Sequence, residues 1–361
     1  MSKTGNDSNN GQTANTAFLT VERMIDELYR WVADGYDITV NIGEGTYNST
    51  EPLAPSYAYG GNVYWEGDYT KYTSNMSTSN IDASATSSGG NLEYIDFDLH
   101  LPSGADVDTD DHIIVKSATG GTNPELLLGC HAVQTWNGTG NIATLRVFRR
   151  DGVTKLPSGS ITVNEATVLR TTLDFTGAGI KVSGAYHSGT WNYMTLRGDP
   201  GAYGVWMLNG AAITLGGDMG IISFDTGLYA QNNSSIFADG AVISKCWEWG
   251  VIANNGGVIS LRYGAIVSGC ATGGMKIFNG ANVNCYQLYI LCYGSSYGVY
   301  SYKGGFVDIQ SGVLSGYHSS TPYGLYVASG GGIDSTSITA DNPVVRGTAS
   351  SPAGNGAYHA Y

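Results

Sequence analysis

A repeat of 23 to 26 residues constrains the fold of this chain more than any other feature. The copies begin at Gly204, Gly227, Gly250, Gly274, Gly298 and Gly324. The second position of each copy is aliphatic, the tenth is Ile or Val, and the sixth and seventh favour turns, as in Asn209-Gly210. A helix would not tolerate so many helix-breaking residues, so each copy must consist of short strands separated by turns.

Stacking of the copies follows from their apolar positions. One copy cannot bury these positions alone, whereas stacked copies can, with successive strands paired in parallel about 4.8 Å apart. The sequence therefore predicts an all-β fold, a right-handed parallel β-helix, in which the hand follows the general preference of parallel crossovers. A β-propeller is the competing repeat fold, but its blades need about 40 residues.

Composition excludes several classes of protein. The net charge is −13, and an acidic chain repels phosphate backbones, so we expect no nucleic-acid partner. No apolar run approaches the ~18 residues of a membrane span, and the N-terminus lacks the apolar core of a signal peptide. We therefore expect synthesis in a host cytoplasm.

Metal and cofactor motifs are weak. The five cysteines form no C-x-x-C pair, which disfavours a zinc site and favours buried, reduced thiols. Asp106, Asp108, Asp110 and Asp111 could offer alternate oxygens to Ca²⁺, but the pattern lacks the Gly and Glu of a calcium loop, and an ordinary acidic loop is the simpler interpretation. We expect no metal and no cofactor.

The N-terminal segment has its own pattern. A polar leader precedes apolar residues at helical spacing, with Thr20 as the expected N-cap and a helix end near Asp34-Gly35. Residues 38–42 then alternate as a strand that stops at Gly45-Thr46-Tyr47. The apolar helical positions are Phe18, Val21, Met24, Ile25 and Leu28.

This segment resembles the start of pectin-lyase-like phage tail spike and tail fibre proteins. The matching residues are Gly5, Asp7, Ser8, Asn9, Gly11, Phe18, Thr20, Ile25, Asp26, Gly45 and Tyr47. Asn10 stands where Asp is usual in that family. The resemblance covers residues 1–50 and the repeat style of 179–340. It implies a β-helix closed at one end by the helix and an origin in a virion, and it identifies no substrate.

Residues 90–165 interrupt the repeat with alternating runs separated by Gly-rich turns. This pattern predicts a small antiparallel β-barrel or sheet inserted into the first coils. The full expected organisation is a leader, capping helix and first strand in 1–50, first coils in 51–89, the insertion in 90–165, the main repeats in 166–345 and a tail in 346–361.

One pair of acids could be catalytic. Asp225 and Glu248 each lie 21 residues after a repeat glycine, so they should occupy adjacent coils roughly 5 Å apart, a separation that suits a retaining glycosidase. Trp247 and Trp249 flank Glu248 and could stack on a sugar. The simpler interpretation is two exposed acids at neighbouring turns, because the equivalent residue of the next coil is Ala271.

Aromatic residues recur at two repeat positions that should point outward, because they alternate with the aliphatic core position. Position three is aromatic in four of the six copies, at Trp206, Tyr229, Tyr300 and Tyr326, and is Ile252 or Lys276 in the other two. The residue before the repeat glycine is also aromatic in four copies, at Tyr203, Trp249, Tyr297 and Tyr323. Such a stripe could pack against another copy of the chain, could bind glycans, or could be scattered surface tyrosine.

These patterns lead us to expect a non-enzymatic structural or host-recognition component of a phage-type virion, such as a tail fibre, tail spike or decoration protein. The expected partners are further copies of the chain in a homotrimer, other virion proteins and host surface polysaccharide. The alternative is a depolymerase, a glycoside hydrolase or lyase, acting on host surface glycans. A bacterial surface adhesin is a third option, disfavoured by the missing signal peptide.

Overall fold

The computed structural model of the protein describes residues 1–31, 37–55, 62–82, 93–149, 157–184, 186–291, 297–315, 323–336, 338–340, 345–347 and 357–360. These residues are nearly all β-strand, with one short α-helix. The strands form a parallel β-helix that carries an antiparallel insertion, and this confirms the fold class predicted from the repeat.

Three parallel sheets form the lateral faces of the β-helix. Sheet A contains, in stacking order, β1 (Ile38–Ile42), β3 (Val63–Gly67), β13 (His187–Asn192), β16 (Ala212–Gly216), β19 (Ser235–Phe237), β22 (Val258–Leu261), β25 (Asn282–Tyr286), β28 (Phe306–Gln310), β31 (Gly332–Thr336) and β34 (Ala357–Ala360). Sheet B contains β2 (Gly45–Ser49), β11 (Thr171–Phe175), β14 (Thr195–Arg197), β17 (Gly220–Ile222), β20 (Val242–Ser244), β23 (Ile266–Ser268), β26 (Tyr289–Leu291), β29 (Val313–Ser315) and β32 (Thr339–Ala340). Sheet C contains β12 (Ile180–Ser183), β15 (Tyr203–Leu208), β18 (Thr226–Gln231), β21 (Trp249–Asn254), β24 (Gly273–Phe278), β27 (Tyr297–Tyr302), β30 (Tyr323–Ala328) and β33 (Val345–Gly347).

The repeat glycines form one column at the start of the sheet C strands, as predicted. Val205 pairs with Leu228 and Leu228 with Val251, and the same register continues to the pair of Val299 and Leu325. A Cβ on Gly227 would lie 2.8 Å from the carbonyl oxygen of Gly250. Glycine is therefore required here because neighbouring coils approach too closely for a side chain.

One continuous apolar core fills the β-helix, because the second residue of each repeat points inward and is fully buried. The N-terminal end of this core is covered by α1 (Val21–Trp31), whose Leu28 and Met24 are buried in it. Thr20 caps the helix as predicted, since its hydroxyl accepts a hydrogen bond from the backbone N–H of Arg23. The end predicted near Asp34-Gly35 lies outside the described residues.

The leader is fastened to the helix by Asp7. Its carboxylate accepts hydrogen bonds of 2.9 Å from the backbone N–H groups of Leu19 and Thr20 and from the Thr20 hydroxyl. Burial alone would raise the pKa of Asp7, but these hydrogen bonds outweigh it and lower the pKa. Asp7 of the leader therefore has a structural role at the start of the capping helix.

The insertion is a closed antiparallel β-barrel with one additional strand. Its strands are β4 (Tyr69–Tyr72), β5 (Met76–Asp82), β6 (Glu93–His100), β7 (His112–Thr119), β8 (Gly129–Asn137), β9 (Ile142–Arg149) and β10 (Thr162–Leu169). The ring closes because β10 pairs with both β5 and β7, and β4 adds to β10. These strands extend beyond residues 90–165 in both directions, and β4 and β5 come from the segment expected to form the first coils. The residues of β4 are exposed or half-buried, so its sequence lacks the alternation of apolar residues by which other barrel strands were predicted.

The barrel packs on the outer surface of sheet B. Ile222, Val242, Ile266 and Leu291 point outward from four successive sheet B strands, and all belong to the apolar core of the barrel. Cys130 of the barrel donates its backbone N–H to the Ser244 hydroxyl at 3.2 Å. The barrel therefore covers one whole flank of the middle coils.

The described cysteines are free and buried, as their apolar contexts predict: Cys130, Cys246, Cys270 and Cys285. Cys246 and Cys270 are neighbours along the axis, since the N–H of Ala271 donates to the carbonyl of Cys246 at 2.8 Å. Cys292 lies outside the described residues.

Candidate functional site

The predicted acidic pair lies on adjacent coils at the turn that leads into sheet C. The backbone N–H of Glu248 donates to the carbonyl of Asp225 at 2.8 Å. Asp225 is half-buried, Glu248 is exposed, and both raise the pKa of the nearby Tyr203, whose burial is the larger cause. The side chain of Trp247 is 45% exposed beside them. Their catalytic role stays a prediction.

The outer surface of sheet C carries the predicted aromatic residues, and we call it the aromatic face. It consists of the predicted residues Tyr203, Trp206, Tyr229, Trp249, Tyr297, Tyr300 and Tyr326, together with Phe278 and Tyr302, which were not predicted from the sequence. Strand pairing places Trp206 beside Tyr229, and Tyr300 beside Tyr326. The ring centroids of these two pairs are 6.0 and 5.0 Å apart.

The rings of the aromatic face cover one another. Trp249 is buried because Tyr297 and Tyr300 lie over it, with ring centroids 6.0 and 6.4 Å away. Tyr229, Tyr300 and Tyr326 are half-buried. Gly273 makes this overlap possible. It lies on the strand between Trp249 and Tyr297 and has no side chain to separate their rings. The result is an ordered apolar strip along the β-helix axis.

Two lysines lie within this strip. The Lys276 ammonium group is 5.7 Å from the Trp249 ring and 5.6 Å from the Phe278 ring, and Lys181 is 4.2 Å from the Trp206 ring. Cation–π contacts of this length are favourable and become stronger when water is excluded. A third lysine, Lys303, lies 5.8 Å from the Tyr302 ring, so the aromatic face has positive charge at three heights along the axis.

A second candidate site lies where the barrel meets the β-helix, and we call it the barrel groove. It comprises two adjoining cavities of about 670 and 310 Å³ that share Tyr289 and Val313. Lys71, Lys116 and Glu165 line the larger cavity from the barrel, and the corners between sheets A and B line it from the β-helix.

These corners form a column of residues in the left-handed conformation, which on successive coils are Tyr193, Asp218, Gly240, Gly264, Gln287 and Ser311. Gly217 and Tyr263, which precede two of them, are left-handed as well. The barrel holds the first three. The Tyr69 ring stacks on Tyr193 with centroids 3.6 Å apart. Lys116 donates to the carbonyl of Gly240 and pairs with the Asp218 carboxylate at 2.9 Å.

Asp218 is the centre of this attachment. Besides Lys116, it accepts a hydrogen bond of 2.8 Å from the Thr167 hydroxyl and lies 3.7 Å from the Lys71 ammonium. Burial alone would raise the pKa of Asp218, but the lysines and Thr167 outweigh it and lower the pKa. A single β-helix carboxylate is thus held by three side chains of the barrel.

The sequence did not reveal the barrel groove. The one local signal of the groove is the type of residue that occupies the left-handed positions at these corners. The opposite corner uses Asn209, Asn232 and Asn255, which tolerate that conformation, whereas this corner uses Tyr193 and Gln287 at a conformational cost.

Three basic groups, the buried His112 and His131 and the half-buried Lys245, lie near the contact between the barrel and the β-helix. The ring Nδ1 of His112 is 3.3 Å from the Thr172 hydroxyl of β11, and the ring Nε2 of His131 is 3.0 Å from the carbonyl oxygen of Leu127. The pKa of both histidines is lowered to about 3, mainly by burial and in part by the positive charge of Lys245. Burial also lowers the pKa of Lys245 to about 8.

The acidic loop that could have held Ca²⁺ is a structural turn. Asp111 accepts a hydrogen bond of 2.8 Å from the N–H of Asp108, and Asp106 pairs with Arg170 at 3.2 Å. Burial raises the pKa of Asp111 to about 6. Among the described residues, no group of three or more His, Cys, Asp or Glu side chains could hold a metal ion.

Comparisons with protein-family models, with curated proteins and with solved structures give no significant match. Within the described part of the chain, no helix is both long and apolar enough to cross a membrane. The aromatic face and the barrel groove are therefore the two surfaces of the protein that bear on its function.

Proposed function

We propose that this chain is a non-enzymatic structural or host-attachment component of a phage-type virion, assembled as a parallel homotrimer through its aromatic face. The observation that carries the proposal is the ordered strip of rings on sheet C, from Trp206 to Tyr326. A lone soluble protein rarely exposes an apolar strip that spans so many coils. Packing the strip against the same strip of other copies removes it from water.

Closed symmetry explains why the strip runs along the axis. Parallel copies around a rotation axis place equal heights side by side, so every coil from Trp206 to Tyr326 meets its counterpart and no sticky surface remains. The net charge of −13 favours solubility and suits an exposed component of a particle. The resemblance of residues 1–50 to tail spike and tail fibre proteins supports a place on a virion.

Immunoelectron microscopy of intact particles tests the virion role. Antibodies raised against the purified chain should label particles at one defined location on the tail or the head surface. Particles that carry no label, isolated from infected cells in which the chain is abundant, would contradict the proposal.

A glycan depolymerase is the second candidate, and the adjacency of Asp225 and Glu248 is the observation in its favour. An enzyme would release reducing ends or unsaturated sugars from host surface polysaccharide, and Asp225→Asn and Glu248→Gln would each abolish the release. A non-enzymatic protein releases neither product, and the same substitutions leave any polysaccharide binding unchanged.

A further inference from the structure

The barrel groove continues past the region where the barrel holds the β-helix. The corner column is held at Tyr193, Asp218 and Gly240, but the next corners, Tyr263-Gly264 and Gln287, face the open cavity. Successive corners follow one another at the spacing of paired strands, about 4.8 Å. The groove is therefore an open trough along the axis whose floor repeats at regular intervals.

The charges that line the larger cavity of this trough, where Tyr263 and Gln287 lie, are all in ion pairs. Lys71 lies 2.6 Å from Glu165, Lys116 lies 2.9 Å from Asp218, and the Asp239 carboxylate lies 2.9 Å from Arg262. A ligand of either sign would have to break one of these pairs, and an anion would also approach a chain with a net charge of −13. The electrostatics therefore favour an uncharged ligand.

Ring surfaces and hydrogen-bonding groups alternate along the same trough. Tyr263 is 62% exposed, its ring centroid lies 5.3 Å from the Arg262 guanidinium, and the Tyr286 ring meets it edge-on at 6.2 Å. Tyr263 also has a φ of 56°, a costly conformation for an aromatic residue. Gln287 and Tyr289 follow on the next coil and offer an amide, a hydroxyl and a second ring.

We propose that the barrel groove binds a linear, uncharged polysaccharide that runs parallel to the β-helix axis. A sugar chain presents apolar C–H faces that stack on rings, together with hydroxyl groups that need both donors and acceptors. Tyr263 and Tyr289 supply the rings, and Gln287, Ser311 and the paired charges supply the donors and acceptors. The inference rests on the host-attachment role proposed above and assigns the receptor to this groove rather than to the aromatic face.

Affinity electrophoresis and calorimetry with defined polymers test the proposal. The neutral probes are dextran, mannan and galactan, and the acidic probes are alginate and polygalacturonate at the same ionic strength. We expect binding to at least one neutral polymer and to neither acidic one. Tyr263→Ala and Gln287→Ala should each weaken that binding by about tenfold or more, equivalent to about 1.4 kcal/mol.

Tyr186→Ala is the matched control, because Tyr186 is also an exposed tyrosine, at 39%, but belongs to another corner of the β-helix. This variant should bind like the unchanged protein. Binding to no neutral polymer, tighter binding to an acidic polymer, or binding that survives Tyr263→Ala and is lost in Tyr300→Ser would each overturn the proposal. If such a result accompanies clear antibody labelling of particles, only the groove assignment fails and the virion role stands.

Discussion

Single residues of the repeat glycine column decide whether neighbouring coils can approach. In Gly227→Ala, the new Cβ would lie 2.8 Å from the Gly250 carbonyl oxygen and would also press on Ile243. Because this contact lies in a close-packed core, we expect the free energy of unfolding to fall by about 1–3 kcal/mol. Urea denaturation followed by circular dichroism measures the change.

Gly177→Ala is the control for this substitution. A Cβ at Gly177 has no heavy atom within 4 Å, and its backbone does not need a positive φ. It should change the free energy of unfolding by no more than about 0.5 kcal/mol. Equal effects of the two substitutions would contradict the close-approach explanation.

His112 gives the fold a dependence on pH. Its pKa is about 3 in the folded protein because it is buried, against about 6.5 in an unfolded chain. Between these values only the unfolded chain binds the proton, so the free energy of unfolding falls as the pH drops, by at most about 1.4 kcal/mol per pH unit. His131 acts in the same direction, and Asp111, with its raised pKa, acts in the opposite direction below about pH 6.

His112→Gln should make the urea midpoint less sensitive to pH between 6 and 4. The urea midpoint is measured at pH 6 and at pH 4 for each protein, and the difference between these two midpoints is compared between the variant and the unchanged protein. An identical pH dependence in both proteins would show that His112 is not buried in its neutral form.

Among the elements, the sheet C strands and their corners could be predicted, because residues close together in the sequence determine where each strand begins and where it turns. Glycine columns mark close approach, and the side chains of Asn209, Asn232 and Asn255 hydrogen-bond to one another along the corner at 3.0 and 3.2 Å. The barrel as an insertion was also visible from its alternating strands. The barrel groove was not, because Lys116 and Asp218 are 102 residues apart and only the docking of the barrel brings them together.

The attachment of the barrel to the β-helix depends on Asp218. Asp218→Asn leaves Lys116 buried without its partner, and removing one member of a buried ion pair typically costs about 3–5 kcal/mol. We expect faster hydrogen exchange in β7 and β10, measured by mass spectrometry, while the sheet C strands keep their protection.

Asp239→Asn is the matched control at the equivalent corner of the next coil. Asp239 pairs with Arg262 at a solvent-exposed position, where water screens the attraction between the two charges and ion pairs contribute little to stability. Exchange in the barrel should stay unchanged in this variant. Equal loosening in both variants would contradict a specific role for Asp218.

At the scale of the whole molecule, two flanks of the β-helix are specialised in different ways. Sheet B is covered by the barrel of the same chain, through Ile222, Val242, Ile266 and Leu291. Sheet C bears the aromatic face, where Trp206, Tyr229 and Tyr300 are half-buried. Because the barrel already covers sheet B, the proposed assembly with other copies of the chain would bury the remaining apolar surface, which lies on sheet C.

The mass of the purified protein in solution, measured by light scattering, tests assembly through the aromatic face most directly. We expect about three times the 38.0 kDa of one chain, and a shift toward one chain when Tyr300→Ser and Tyr326→Ser are combined. Tyr263→Ser, which changes a tyrosine of the barrel groove, should keep the trimer. A mass of one chain at micromolar concentration, for a protein with intact β-sheet circular dichroism, would contradict the homotrimer.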